Sequence, residues 1–204
     1  MAISQHTSHD RPGATRRRGP ALENALLDAA WEELQSVGYA KLTMERVADR
    51  AETSRAVIYR RWASRHELVI AAIRHQQPAG ARSIPDTGSL RDDVLAVMRQ
   101  ALRRIVTIGP GTVVGLLNDL LGDASSDTII DQLARGGGEI INELITRAAA
   151  RGEAREHVPP RVARLPLDLL RHELILTHQP PSIETLEEIV DQIFLPLVAA
   201  VAPQ

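Results

Sequence analysis

Apolar residues in the first part of the chain recur at spacings of three and four, the period of a helix with one buried face. The positions that follow this pattern are Leu27, Ala30, Trp31, Leu34 and Val37. Pro20 suits the first turn of such a helix, because the N–H group that proline lacks would have no partner there. Gly38 suits its C-terminal end, where glycine readily adopts the left-handed backbone. The pattern predicts a helix from Pro20 to about Gly38.

Three shorter helices are predicted next, each preceded by a hydroxyl side chain that can cap it. These capping residues are Thr43, Ser54 and Ser64. Ser64 and Glu67 also have the spacing of a capping box, in which two side chains accept N–H groups at one helix start. The third of these helices continues to about Gln77. The positions expected to face inward on the first two are Met44, Val47, Ala48, Val57 and Ile58.

The rest of the chain follows a break at about residues 78–88, which contains Pro78, Gly80, Pro85 and Gly88. Helical periodicity then predicts helices over about 90–105, 113–121, 128–150, 161–178 and 183–201. No stretch shows sustained strand alternation, so we predict an all-α fold. Within the long helix, the run Gly136-Gly-Gly138 indicates close helix packing, a kink or a helix start. Pro166 and Pro196 also interrupt helical patterns and are expected to start or bend helices. We predict a disordered basic arm over 1–19, one domain over 20–77 and a second over 78–204.

Charge is divided unevenly along the chain, whose net charge is -2. Residues 1–77 carry a net charge of +3 and residues 78–204 carry -5. This division suits an N-terminal part that meets phosphate, although chance also produces a difference this small.

The absence of cysteine excludes disulfides, thiolate metal sites and thiol redox chemistry. No apolar run approaches the length of a membrane span and no signal peptide is visible, so a cytoplasmic location without membrane contact is expected.

Two short helices joined by a tight turn, with a longer helix behind them, describe a helix-turn-helix. The second short helix must present one apolar face to the core and one polar face to DNA. Residues 54–60 provide both, because Val57 and Ile58 can pack inward while Arg55, Tyr59 and Arg60 face outward. Arginine suits guanine edges, and arginine, tyrosine and threonine suit phosphate.

Residues 26–68 resemble the TetR family of bacterial repressors. The matching residues are Gly38-Tyr39, Thr43, Val47-Ala48, Ala51, Ser54, Ile58-Tyr59, Trp62, Ser64 and Glu67-Leu68. The resemblance implies a DNA-binding transcriptional regulator in which Thr43, Tyr59 and Arg65 contact the DNA backbone. It also implies that Arg55 and Ala56 lie near bases, with Ser54 and Arg60 on the same surface. The arm residues Arg16, Arg17 and Arg18 are expected to reach the minor groove or the backbone.

Glu52 and Thr53 depart from the Gly-Val that the family usually has in the turn. Glycine there permits a positive φ, so Glu52 is expected to cost some strain and leaves the base readout open. The resemblance further implies a homodimer, a palindromic operator and a small-molecule effector. The predicted effector pocket consists of Met98, Leu102, Leu116, Leu117, Leu120, Leu144, Arg171 and His172. The predicted dimer interface consists of Leu174, Leu186, Ile189, Val190, Ile193 and Leu197, although an ordinary intrachain core produces the same stripe.

Enzyme chemistry has little support in the sequence, which lacks a nucleophile elbow, a cysteine nucleophile and a His-Glu-x-x-His motif. His172 and His178 are six residues apart, which does not place two ligands on one helix face, so neither a metal nor a cofactor is expected. The adjacent acidic pairs Asp92-Asp93 and Glu187-Glu188 are interpreted as solvated faces. Two alternatives stay open: a regulator without a small-molecule ligand, and a helical protein with a non-functional DNA-binding head.

Overall fold

The computed structural model describes residues 19–76, 84–122 and 127–199, so the predicted arm residues Arg16, Arg17 and Arg18 lie outside it. The first four helices are α1 (Pro20–Val37), α2 (Met44–Arg50), α3 (Arg55–Tyr59) and α4 (Arg65–His75). The next six are α5 (Leu90–Ile108), α6 (Pro110–Gly122), α7 (Asp127–Ala150), α8 (Pro160–Thr177), α9 (Ile183–Glu188) and α10 (Leu195–Val198). The described ranges contain no strand beyond one isolated bridge, so the all-α prediction is confirmed.

Helices α1–α4, here called the head, surround one hydrophobic core. Helix α1 packs against α4 and α2, and Leu26, Ala30, Ile58 and Leu68 are completely buried in the shared core. Helix α1 ends at Val37 because Gly38 turns the chain with a φ of 74°, as predicted. The predicted inward positions of α2 are also buried. The head is therefore held together by the apolar face that the sequence pattern indicated.

The caps of the short helices agree with prediction at two of three positions. The Thr43 hydroxyl accepts the Arg46 N–H at 3.3 Å, and the Ser64 hydroxyl accepts the Glu67 N–H at 3.3 Å. The Glu67 carboxylate reaches back to the N–H of Ala63 at 2.8 Å, one residue before the position that a capping box uses. Ser54 stands at the N-cap of α3 with extended backbone, but its side chain makes no capping hydrogen bond.

A buried carboxylate joins α1 to α2 inside the head. The Glu33 side chain is only 3% exposed and pairs with the more exposed Arg46 and Arg50. Arg50 binds one carboxylate oxygen through two nitrogens, at 2.9 and 2.7 Å, and Arg46 binds the other oxygen. The hydrogen bond from Arg46 lowers the pKa of Glu33, burial opposes it, and Arg50 lowers it further, so the net shift is downward. The group is therefore ionised at neutral pH.

Helices α5–α10, here called the body, enclose a second, mainly aliphatic core that includes one aromatic side chain, Phe194. The helix predicted over 183–201 is interrupted where the expectation for Pro196 placed a break, because α10 begins at Leu195 and Ile189–Phe194 between α9 and α10 is π-helical. The cause lies next to this segment: Pro196 has no N–H to donate to the carbonyl of Gln192, which interrupts the regular pattern of hydrogen bonds.

No described helix alone could span a membrane. Helices α5 and α6 together have the length and apolar composition of a span, but they are bent by 91° relative to each other.

Asp93 corrects the interpretation of Asp92-Asp93 as a solvated pair. Its side chain is completely buried, and one carboxylate oxygen accepts the N–H of Thr87 at 2.7 Å and its hydroxyl at 2.8 Å. This carboxylate therefore ties the segment before α5 to the helix itself. Adjacent helical residues point about 100° apart, which explains why Asp92 stays exposed while Asp93 faces inward.

Candidate nucleic-acid interface

Helix α3 presents a polar surface that one buried residue holds in place. Ile58 is completely buried in the head core, whereas Arg55, Ala56, Tyr59 and Arg60 are exposed. Tyr59 leaves 49% of its surface open to solvent, so its ring and hydroxyl are accessible to a partner. The helix thus combines an anchored inner face with an outer face of hydrogen-bond donors.

Two polar residues at the start of α2 and α3 adjoin this surface. Thr43 is exposed and caps α2, which leaves its hydroxyl at the helix N-terminus, where anions are favoured. Arg55 is 69% exposed and lies 3.6 Å from the Glu45 carboxylate of α2. An exposed pair of this kind contributes little stability, so Arg55 can exchange its partner for a phosphate or a base at small cost.

The turn between α2 and α3 forms although glycine is absent from it. Glu52 adopts a φ of 52°, the left-handed region that costs a residue with a side chain about 1–2 kcal/mol. The turn is nevertheless closed, because the Thr53 N–H binds the Ala48 carbonyl at 3.0 Å. The expected positive φ at Glu52 is therefore confirmed, and the geometry of the helix-turn-helix is kept.

Replacing Glu52 by glycine is expected to raise the free energy of unfolding by about 0.5–1 kcal/mol, because relief of the left-handed strain exceeds the extra entropy of glycine in the unfolded chain. Urea unfolding followed by circular dichroism measures the change. Thr53→Gly is the matched control, since the φ of Thr53 is not positive, and it should lower stability. Equal effects of the two variants would contradict strain at Glu52.

Head and body meet at a cluster formed by Tyr39, Arg65 and Asp119, here called the junction cluster. The Tyr39 hydroxyl donates to Asp119 at 2.6 Å, and Arg65 donates to the same carboxylate oxygen at 2.7 Å. The guanidinium of Arg65 also lies 4.4 Å from the centre of the Tyr39 ring, a cation–π distance. Gly115 on α6 admits the ring, because a Cβ at that position would lie 2.5 Å from the Tyr39 Cδ1 atom.

The charges of the junction cluster are set by these contacts. Burial raises the pKa of Asp119, but the hydrogen bonds from Tyr39 and Arg65 lower it more, so the pKa lies below its ordinary value of 3.8. Burial, followed by the bond to Asp119, raises the pKa of Tyr39 well above 10. At neutral pH a neutral phenol and a guanidinium therefore share one carboxylate, which ties α4 to α6.

Arg65 was predicted to hold a phosphate, and in this structure its guanidinium is occupied by Asp119. Its phosphate contact therefore stays a prediction that would require an exchange of partners. The junction cluster itself was missed by sequence reasoning, although Asp119 carried a signal, being the one charged residue inside the apolar run Val113–Leu121. A carboxylate at such a position indicates a partner from another element.

The residues predicted to form an effector pocket are distributed among several environments. Met98 and Leu144 are completely buried in the body core, and Leu102 packs against it. Leu116 belongs to the head core, Leu120 is buried and Leu117 half-buried. Arg171 pairs with Asp168 on its own helix, and His172 is exposed. The structure does not gather these eight residues into one place, and their role stays a prediction.

Known proteins share both the sequence pattern and the fold described above. A family model described as bacterial regulatory proteins of the tetR family matches residues 26–72, and one described as a tetracyclin repressor-like C-terminal domain matches residues 84–193. An uncharacterised HTH-type transcriptional regulator of Mycobacterium tuberculosis is 31% identical over 92% of each chain. The chain belongs to the TetR family. It is a DNA-binding transcriptional regulator, as such family members are.

Other relatives of this TetR-family protein agree. A protein of Mycobacteroides abscessus described as a DNA-binding transcriptional repressor TetR is 34% identical over 138 residues, 67% of this chain and 73% of its own. The fold is that of the TetR family transcription regulator SCO0332, with a TM-score of 0.61 and 24% identity over 89% of this chain and 99% of that one. A Bacillus subtilis FadR, described in complex with stearoyl-CoA, has the same fold, with a TM-score of 0.58. The two sequences are 16% identical over 83% of this chain and 98% of that one. TetR-family regulators bind DNA, typically bind small-molecule ligands and dimerise.

Proposed function

We propose that this TetR-family protein is a cytoplasmic repressor that binds a palindromic operator as a homodimer and leaves it when a small-molecule effector binds. The observation that carries the proposal is the α3 surface, where Arg55, Tyr59 and Arg60 are exposed around the buried anchor Ile58. Exposed arginine and tyrosine side chains on a short helix, held rigidly from behind, are what reading of the major groove requires. The repressor of Mycobacteroides abscessus supports the sign of regulation.

Exposed apolar residues on the last helices support the homodimer. Ile193 and Leu197 from the predicted interface are 40% and 41% exposed in the single chain, and Ile175 and Leu176 of α8 are also exposed. Leu174, Leu186, Ile189 and Val190 lie instead in the intrachain core. Helix α8 packs against the Ile189–Phe194 segment, so these side chains lie on neighbouring elements, and a two-fold pair of α8 and the terminal helices would cover them.

Release by an effector requires that the head and the body move together. Arg65 stands at the start of α4, whose Leu68 and Val69 are buried in the head core, and it also pairs with Asp119 of the body. A shift of α6 would therefore be passed to the head through α4. An effector that binds better to a different head spacing lowers operator affinity by population shift, and the coupling must be reciprocal.

Operator binding by the purified protein tests the proposal, with its own upstream DNA and a scrambled fragment compared across a salt series. Arg55→Ala is expected to weaken specific binding roughly tenfold or more, because a contact of arginine with a base edge contributes ~1–3 kcal/mol. Tyr59→Phe is expected to weaken it several-fold, as loss of one hydroxyl contact of about 1 kcal/mol predicts. The matched control is Arg161→Ala, an exposed arginine of the body, which should bind like the native protein.

Equal and strongly salt-dependent binding to both DNA fragments would mean phosphate contact alone, which contradicts sequence-specific recognition by α3. No binding to any DNA would contradict the proposed function and favour a non-functional head. A footprint on a palindrome that Arg55→Ala abolishes supports the proposal, and it provides the assay in which effectors are screened.

A further inference from the structure

Arg164 of α8 is a half-buried arginine whose side chain is built into the crossing of α7 and α8. Its stem lies against Gly138, where a Cβ atom would be 2.8 Å from the Arg164 Cγ and 3.2 Å from its Cδ. Of the roles expected for the glycine run, Gly138 shows close helix packing, because any side chain there would displace the arginine. The close approach therefore fixes the stem of Arg164 against α7.

Within the described part of the chain, the Nε atom of Arg164 lacks the acceptor that such a position demands. This atom is fully buried. Asp168 stands one helical turn later, but its carboxylate pairs with Arg171 instead. A buried donor without an acceptor is costly and calls for a reason. A binding site can supply that reason, because groups kept for a ligand are not optimised for stability.

The surroundings indicate which ligand would satisfy this group. The neighbouring α8 residues Ala163 and Leu167 belong to the aliphatic core of the body, so a molecule that reaches Arg164 also meets apolar side chains. The planar guanidinium fork matches a carboxylate in a bidentate arrangement. Arg171, the other arginine of α8 that was predicted to line the effector pocket, has its charge taken up by Asp168, so Arg164 is the better candidate.

We infer that Arg164, seated on Gly138, binds the carboxylate of an amphipathic effector whose apolar part enters the aliphatic core of the body. The inference rests on the proposed function, since it names the class of effector. The interaction of the carboxylate with the guanidinium satisfies the buried donor of α8 only when the ligand is present, which makes binding selective for acids over neutral analogues.

Calorimetric titration of the full chain with sodium decanoate and with decan-1-ol tests this inference. The native protein is expected to bind decanoate saturably and the alcohol at least about tenfold more weakly, because a charge-assisted hydrogen bond is lost. Arg164→Gln should weaken decanoate binding by a similar factor and leave decanol binding unchanged. Gly138→Ala should also weaken decanoate binding, because it retains the charge but displaces the side chain. Arg103→Gln, an exposed arginine of α5, is the matched control and should behave as native.

Thermal unfolding without ligand separates a binding role from a structural one. Arg164→Met is expected to keep or raise the Tm, because an unpaired half-buried charge does not stabilise the fold. A fall of more than about 4 °C would show that the arginine supports the structure and would overturn the inference. Absence of saturable decanoate binding, or equal binding by native protein and Arg164→Gln, would overturn it as well.

Operator binding in the presence of decanoate distinguishes this inference from the proposed function. If decanoate binds through Arg164 and releases the operator, both stand. If it binds through Arg164 while the operator stays bound, the ligand site stands and the release mechanism fails. If the operator is bound specifically but Arg164→Gln leaves decanoate binding unchanged, the regulator stands and the inference fails.

Discussion

Replacement of both Arg46 and Arg50 by methionine is expected to lower the free energy of unfolding at pH 7 by about 3–5 kcal/mol, the cost of leaving a buried charge without its partners. The two arginines are considerably more exposed than Glu33, whose side chain is only 3% exposed. This difference in exposure decides how much stability is lost, because removing the arginines leaves an unpaired carboxylate in the protein interior. Urea unfolding at pH 7 measures the loss.

The same variant is expected to reverse the pH dependence that Glu33 contributes. In the native protein the pKa of Glu33 is lowered, so its stabilisation is complete above the ordinary pKa of 4.5 and is lost as the pH falls through the folded value. In the double variant burial acts alone and raises the pKa. The double variant should therefore become more stable as the pH falls from 7 towards the ordinary pKa of 4.5. The native protein gains no stability from Glu33 over the same pH range.

A triple variant provides the control for this prediction. Glu33→Met, added to Arg46→Met and Arg50→Met, removes the buried charge together with its partners, and such replacements are often neutral or stabilising. The triple variant should therefore be more stable than the double variant at pH 7 and should lose the acid-induced gain. A triple variant no more stable than the double one would show that the arginines stabilise α2 by some means other than pairing with Glu33.

Gly115→Ala is expected to destabilise the contact between head and body, because its Cβ would lie 2.5 Å from the Tyr39 Cδ1 atom. Overpacking of this kind typically costs about 1–3 kcal/mol. Replacement of a helical glycine by alanine otherwise gains up to about 1 kcal/mol. In a Tyr39→Ala background the clash is absent, so the same substitution should raise stability. This reversal of sign in a double-mutant cycle is the measurement.

The functional consequence of Gly115→Ala follows from the junction cluster. A displaced Tyr39 ring takes its hydroxyl away from Asp119 and uncovers the guanidinium of Arg65. Operator affinity and effector response should both change, whereas Tyr39→Phe, which keeps the ring on Gly115, should change them less. If Gly115→Ala alters stability but leaves both functional measurements as in the native protein, the junction cluster does not couple head and body.

The sequence determined the helices and their inner faces, because these depend on neighbours within one or two turns. Pro20, Gly38, Thr43 and Ser64 mark helix ends by local backbone chemistry, and all four act as predicted. The helix-turn-helix was recognisable for the same reason, since its buried positions and its turn lie within about 30 residues. The interruption expected at Pro196 is confirmed, whereas its π-helical form was not predictable, because periodicity does not distinguish a π-helical segment from an α-helix.

Only the tertiary structure decided which charges are paired and which are not. Tyr39 and Asp119 are 80 residues apart in the chain, and Arg65 and Asp119 are 54 apart. No local pattern links such residues, so an arginine expected to hold phosphate turned out to bind a carboxylate. Pairing depends on which helix faces meet in space: Asp168 binds Arg171, while the Nε atom of Arg164 has no acceptor among the described residues.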